Sequence, residues 1–266
     1  MNNREYHADT SRISKSGLDY FAQSPAHYWA RYLDPNRVPD QPTKALLTGS
    51  AVHTAILEPH KFQEEFTIMP AFNARTNEGK EQKAIWLAAN DGKTVIDIET
   101  YDLATRLRDK VHGNKTAAQL LQIGKAEETV FFDDPESGAK CKMRADFLTA
   151  DGIIVDLKTT MDASAEAFGR SAVKYRYHVQ SAFYSHGYEL DRGYAPEAFV
   201  FIAVETTYPY EVAIYHADDN VIALGRDTFM PELHRYAACV RTGKWPGYGD
   251  LIQLLQLPGW AFKRNQ

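Results

Sequence analysis

Arg144-Ala145-Asp146 and Asp156-Leu157-Lys158 are separated by nine residues, and together they hold residue types that phosphate chemistry uses. In a strand, alternate side chains share a face. Ile153, Val155 and Leu157 then turn one way, and Ile154, Asp156 and Lys158 the other. An acid and a lysine emerge side by side from a hydrophobic strand. Ala150-Asp151-Gly152 reads as a three-residue hairpin loop, with Gly152 suited to a left-handed last position. That register pairs Thr149 with Ile153 and sets Asp146 opposite Asp156, with Cβ atoms about 4.5–5.5 Å apart. A two-residue loop would instead pair Asp146 with Leu157 and put the acids on opposite faces, so the reading depends on the register.

Two facing carboxylates repel, and bare acids there are costly or partly protonated. A divalent cation removes the conflict. Hard oxygen ligands suit Mg²⁺ or Mn²⁺, with water and phosphate oxygens completing the shell. Such an ion lowers the pKa of a bound water and offsets charge that builds on phosphate. Lys158 can hold the attacking water or a phosphate oxygen. The combination is a device for phosphodiester hydrolysis. The bland rival is a solvated hairpin with an ordinary Asp–Lys ion pair, because acid-x-Lys alone is common.

The elements that must position these residues follow from pattern. Ser14 to Leu33 reads as a helix with Ser14 or Ser16 as N-cap, and Thr43 to Leu57 as a second helix ended by Pro59. Phe62 to Met69 reads as a short strand, and Glu78 to Asn90 and Glu99 to Ile123 as helices with a break near Gly113. The character then changes. Glu128 to Asp133, Cys141 to Leu148 and Ile153 to Thr159 are strand-like. Ala163 to Val173 and Arg176 to Leu190 are helical, Ala198 to Thr206 and Tyr210 to His216 form a hairpin around Pro209, and Asp218 to Thr242 is a long helix with Asp218 as N-cap. The expected fold is α/β: a mixed central sheet flanked by helices, with a helical N-terminal addition. We read a single domain over 1–266, with the helical part at about 1–125, a catalytic core at about 126–243 and an irregular arm at 244–266.

Composition limits the alternatives. The 266 residues are 44% hydrophobic and 24% charged, which is ordinary for a folded chain. No apolar run approaches the roughly 20 residues needed to cross a bilayer, and Met1 to Arg12 lacks an apolar signal core. Cys141 and Cys239 are too few for a disulfide framework or a zinc site. A cytoplasmic protein without membrane attachment is expected. The net charge of −5 argues against a simple basic DNA-coating protein, but acids that hold divalent metal contribute such charge themselves.

The chain resembles the PD-(D/E)xK nuclease superfamily, and within it the exonuclease VIII (RecE-type) catalytic domain of phages and prophages, in the RecB-like branch. The resemblance rests on Gly49-Ser50-Ala51-Val52-His53-Thr54-Ala55-Ile56-Leu57-Glu58-Pro59, Cys141 to Asp146, Ile154 to Thr160, Tyr177 to Tyr184 and Pro258-Gly259-Trp260-Ala261. Each motif is weak alone; their order and spacing are specific. Ala145 replaces the name-giving proline, which carries no chemistry.

The resemblance implies a restriction-endonuclease-like core in which Asp146 and Asp156 ligate metal and Lys158 is the catalytic lysine. The Leu157 carbonyl would add a ligand, and His53 would approach the metal. Gln180 and Tyr184 would border the site. Gly49 and His53 are i, i+4 on a helix, so Gly49 would clear space on the histidine's face; Tyr177, Gln180 and Tyr184 share one helix face. Packed core residues are the plainer reading of both sets. Of Glu127 and Glu128, one is expected to add a ligand, and we favour Glu128, against the alternative of an ion-paired surface residue. His7, His112, His186 and His216 read as structural or surface groups. Lys80, Lys83, Lys174, Arg170 and Arg176 read as solvated charge.

The implied function is 5′-to-3′ exonuclease action on double-stranded DNA with two Mg²⁺ or Mn²⁺ ions. The product would be a 3′ single strand for a partner annealing protein. The enzyme would be a homo-oligomeric ring. The rivals are an endonuclease or single-strand-specific exonuclease of the same superfamily, a non-catalytic DNA-binding module, and an interaction domain whose acids are surface charge.

Overall fold

β-branched and aromatic alternation drives the strands, and short polar side chains start the helices. In the computed structural model, residues 3–38 and 40–256 are described. The helices are α1 (Asn3–Ala8), α2 (Lys15–Gln23), α3 (Pro25–Tyr32), α4 (Lys44–Leu57), α5 (Pro59–Glu65), α6 (Asn77–Ala89), α7 (Ile98–Gly113), α8 (Lys115–Leu120), α9 (Ala165–Lys174), α10 (Tyr177–Arg192) and α11 (Asp219–Thr242). The strands are β1 (Phe66–Ile68), β2 (Thr94–Ile96), β3 (Gly124–Asp133), β4 (Lys140–Thr149), β5 (Ile153–Thr160), β6 (Ala198–Glu205) and β7 (Val212–His216).

Ser14 and Asp218 cap their helices by accepting backbone N–H groups, as the sequence predicts, and Thr43, read as the first residue of its helix, is that helix's cap. The helix expected over Ser14 to Leu33 is two helices. Ser24 turns extended and its side chain caps α3, with Pro25 at the first helical position. The strand expected over Phe62 to Met69 is mostly helix, because Pro59 both stops α4 and starts α5; only Phe66–Ile68 is strand. It pairs in parallel with β2, which the sequence reading did not find. The arm is described only to residue 256, so the Pro258-Gly259-Trp260-Ala261 motif lies outside the described residues.

The main sheet has the order β3-β4-β5-β6-β7. Strands β5 and β6 run parallel, and the other neighbours antiparallel. One face packs against α2, α3, α9, α10 and α11 through Ile154, Phe183, Phe199 and Phe229. The other packs against α4, α5 and α7 through Val52, Ile56, Leu107, Val155 and Leu157. The expected mixed sheet with helices on both faces is therefore the fold. Among the described residues no helix is long and apolar enough to cross a membrane.

Helices α10 and α11 approach so closely that Gly225 has no room for a side chain. A Cβ there would lie 2.0 Å from the His178 carbonyl oxygen and 2.6 Å from the Ala182 Cβ. We expect Gly225→Ala to lower unfolding free energy by about 1–3 kcal/mol through overpacking, although alanine is the better helix former. Urea denaturation of the two proteins measures this, and an unchanged midpoint would contradict the close approach.

Candidate active site

The β4–β5 hairpin has the register that Gly152 predicts. Gly152 has φ 89°, and Phe147 pairs with Val155 and Leu148 with Ile154. One step further, Asp146 lies across from Asp156, but the ladder stops there. Beyond that point β4 leaves β5. Its freed edge is bridged by Ile13, whose N–H donates to Lys140 O and whose carbonyl accepts the Lys142 N–H, both at 2.9 Å.

The splay sets the site. In the gap, Asp146 Oδ2 accepts the Leu157 backbone N–H at 2.7 Å. The carboxylate thus replaces the backbone partner that the departing strand would have supplied. The same oxygen lies 3.5 Å from His53 Nδ1, which α4 brings over the sheet. A Cβ at Gly49 would meet nothing within 4 Å, so the packing around His53 does not demand that glycine.

Asp156 and Lys158 share the face turned to α10, as strand alternation requires. Asp156 is 1% exposed. Its Oδ1 lies 2.5 Å from Lys158 Nζ. Gln180 ties the pair together: its Oε1 accepts from Lys158 Nζ at 2.9 Å, and its Nε2 donates to Asp156 Oδ2. One turn earlier on α10, the Tyr177 ring lies under Lys158 Nζ at 4.7 Å. One turn later, Tyr184 hydrogen-bonds Gln180. The expected single face of Tyr177, Gln180 and Tyr184 is therefore what lines this centre.

Burial raises the Asp156 pKa, and the Asp146 charge adds to it, against the pull of Lys158. Burial works against the Lys158 ammonium too, but Asp156 and Asp146 outweigh it and hold the lysine above its ordinary value. Burial also keeps the Tyr184 phenol protonated far above the usual tyrosine range.

The choice of Glu128 over Glu127 is corrected by the strand register. Glu128 pairs with Ala145, on the face away from Asp146, and its carboxylate meets Lys125 at 3.7 Å and Arg192 at 3.5 Å. Glu127 falls across from Asp146 with φ 54°, a left-handed backbone that is unusual outside glycine. Alternation slips here: Ala145 packs in one core and Phe147 in the opposite one. A regular strand would put both on one side, so counting faces in the sequence fails at this position. Burial, then the Asp146 charge, pushes Glu127 up to about 7, with Arg144 acting in the opposite sense from 3.8 Å.

The N-terminal segment supplies a wall that sequence reasoning missed. A cavity of about 190 Å³ is lined by Asp146, Glu127, Tyr184, Arg144, Lys15 and Tyr6, among others. The Tyr6 ring covers Lys142 Nζ at 4.5 Å and the Arg144 guanidinium at 4.2 Å. Lys142, Arg144 and Asp146 alternate with the buried Cys141, Met143 and Ala145; that alternation was the available signal. Among the other basic residues, Arg176 is a structural clamp on Glu232, at 2.7 and 2.6 Å. His186 is buried against Asp134 at 2.7 Å and reads as structural.

Leu157 is 1% exposed, with its side chain in the α4-side core. The donor chemistry, hard carboxylates beside an imidazole, suits Mg²⁺ or Mn²⁺. Burial first, and the Asp146 charge after it, raise both Asp156 and Glu127, so the site resists holding all its carboxylates charged. Among the described residues no three His, Cys, Asp or Glu side chains already converge on one point. Both Asp156 oxygens are engaged by Lys158 and Gln180, so a cation would compete with them for that carboxylate.

Glu127 gives a pH prediction. Its folded pKa lies above the ordinary carboxyl value, so charging it costs stability as pH rises through about 7. Glu127→Gln removes that cost. We expect the variant to be about 1 kcal/mol more stable at pH 8, with screening by water holding the gain below the full shift. The gain should fade as pH drops toward the ordinary carboxyl range. Thermal unfolding of both proteins at pH 4.5 and pH 8 without metal measures it, and a gain independent of pH would contradict the assignment.

Comparison with known proteins agrees with this geometry. A family model described as a PDDEXK-like domain of unknown function (DUF3799) matches residues 14–258. The crystal structure of a candidate exonuclease from Eubacterium rectale is similar over 97% of this chain and 95% of that one, with a TM-score of 0.63 at 15% identity. An alkaline exonuclease from Laribacter hongkongensis aligns over 73% of this chain and 91% of that one, at 13% identity and a TM-score of 0.30, too low to carry an argument. No curated relative matches the sequence. With all but its ends covered by the family model, and with Asp146, Asp156 and Lys158 gathered at the parting of two strands, the chain belongs to the PDDEXK-like family DUF3799.

Proposed function

We propose that this protein is a metal-dependent deoxyribonuclease. The observation that carries the reading is the Asp146–Asp156–Lys158–Gln180 cluster, set at the strand splay of a PDDEXK-like chain. Asp146 and Asp156 would hold Mg²⁺ or Mn²⁺, two ions by the family resemblance, with His53 and Glu127 beside them and the Leu157 carbonyl as backbone donor. When bound, the metal would lower the pKa of a water and offset charge on the phosphate.

The protein's own groups do the rest. Lys158 is held by Asp156, Gln180 and the Tyr177 ring, so its ammonium is fixed in place and would meet an attacking water or a phosphate oxygen brought beside Asp156. Gln180 accepts from the lysine and donates to the aspartate, which fixes both with one amide. Lys158 and Asp156 between them fix which way that amide faces, and Tyr184 lies beside it on the same helix face. Lys142 and Arg144 add positive charge on the wall beside Asp146, where a phosphate backbone would pass.

The finer reading is a 5′-to-3′ exonuclease on double-stranded DNA that leaves a 3′ single strand for an annealing protein. It rests on the RecE-type resemblance, and the fold shared with the candidate exonuclease from Eubacterium rectale is in keeping with it. A homo-oligomeric ring would reconcile a net charge of −5 with DNA binding, because basic residues need line only the channel.

Linear duplex DNA labelled at the 5′ or the 3′ end, incubated with Mg²⁺, Mn²⁺ or EDTA, tests both levels. We expect metal-dependent release of the 5′ label, and a loss on the order of 10²–10³-fold in Lys158→Ala and Asp156→Ala. Release of the 3′ label first, or cleavage of circular DNA, would keep the nuclease and reject the polarity. No cleavage of linear, circular or single-stranded DNA with either metal would reject the nuclease.

A further inference from the structure

Tyr177, whose ring meets Lys158 Nζ, also lines a second cleft, of about 310 Å³. Thr159, Thr160, Met161, Ser171, Tyr175 and Thr206 line it, with Phe168 and Tyr177 at its back. The two hollows flanking Lys158 differ in chemistry. The cavity beside Asp146 mixes tyrosines and serines with carboxylates, lysines and arginines, so it is charged. The cleft is lined by hydroxyl, thioether and aromatic groups and carries no Asp, Glu, Lys or Arg.

An aromatic pair leads from the lysine to the surface. The Tyr177 ring faces Lys158 Nζ, and Tyr175 stacks on Tyr177 with centroids 5.9 Å apart and planes 28° from parallel. Tyr175 is 50% exposed. Its backbone is nevertheless pinned at both ends. The Tyr175 N–H donates to Ser171 O at 2.8 Å, and its carbonyl accepts Lys15 Nζ at 2.9 Å. Lys15 is itself anchored on Asp19 at 2.8 Å. Lys174 Nζ stands over the Tyr175 ring, 5.1 Å from its centroid, so an arriving base would displace this flexible side chain from the ring face.

A strand that places one phosphate at Lys158 must send its neighbouring nucleotides to either side. Charged walls suit phosphates, whereas a neutral cleft with an exposed ring suits a base, whose π-face stacks on aromatic side chains with little regard to sequence. A base inside a duplex has both faces covered by its neighbours. The partner of Tyr175 must therefore be a terminal or unstacked base.

We propose that Tyr175 is the stacking platform for a terminal or unstacked nucleobase adjacent to the phosphate at Lys158, with Tyr177 seated between the two. The proposal rests on the nuclease reading above and extends it: the base beside the phosphate at Lys158 must present a free face to Tyr175.

The test uses the full chain and duplex DNA carrying 2-aminopurine at the terminal position of the 5′ or 3′ end, with Ca²⁺ in place of Mg²⁺ and Mn²⁺. Stacking on tyrosine quenches the fluorescence, and anisotropy gives the affinity. We expect quenching with the unmodified protein and with Tyr175→Phe, for one of the two ends. Tyr175→Ala and Tyr175→Leu should lose it and bind roughly 5- to 100-fold more weakly, with melting temperatures unchanged because the ring is half in water. Quenching and affinity retained in both Tyr175→Ala and Tyr175→Leu would overturn the platform. If the unmodified protein cleaves DNA while quenching is indifferent to Tyr175, only the platform falls. If it neither binds nor cleaves DNA, the nuclease reading falls with it.

Discussion

Where β4 leaves β5, the Leu157 N–H has to be satisfied without a strand beside it, and the Asp146 carboxylate does so at 2.7 Å. A buried donor left alone would cost about 1–3 kcal/mol, so this bond is part of how the sheet tolerates being opened. Most of the site follows from that opening. The gap admits the His53 imidazole from one side and leaves Asp156 and Lys158 to α10 on the other. It also frees the β4 edge for Ile13, which draws the N-terminal segment across to form a wall of the cavity. Without the splay, β4 would pair along β5 and the two aspartates would sit in a closed ladder.

Around that opening the chain brings the carboxylates Asp146, Asp156 and Glu127 together, with Lys158 and Arg144 set against them. Asp156 is buried, Glu127 is pushed up to about 7, and Lys158 answers both Asp156 and Asp146. An interior chosen for stability alone would not place three carboxylates this way, since like charges with little water between them repel. Charge conflicts of this kind cluster at functional sites. Here the conflict is of the type a divalent cation relieves, on a chain that the family match describes as PDDEXK-like.

Much of the centre could be read from the residues. The three-residue loop ending in Gly152 set the β4–β5 register, and period-2 alternation put Asp156 and Lys158 on one face. Helical spacing joined Tyr177, Gln180 and Tyr184. What escaped was non-local or irregular. The left-handed Glu127 and the slip between Ala145 and Phe147 break the alternation on which a face count depends, so Glu128 was preferred. The wall from Tyr6 to Gly17 depends on Ile13 pairing with Cys141, a contact that no local pattern announces. Pro59 and Ser24 carry double duty at helix junctions, which blurred two element boundaries. Gln180 shows the division: its helix face was legible, but its bridge between Lys158 and Asp156 needed the packing of α10 on β5.

The central claim is that Asp146 and Asp156, brought together by the splay, act as one metal-binding unit with Lys158. Mn²⁺ binding followed by electron paramagnetic resonance tests it without relying on turnover. We expect saturable Mn²⁺ binding that weakens at least about 10-fold in Asp146→Asn and in Asp156→Asn, each losing a charged oxygen ligand. Binding of equal strength in both variants and the unmodified protein would contradict it.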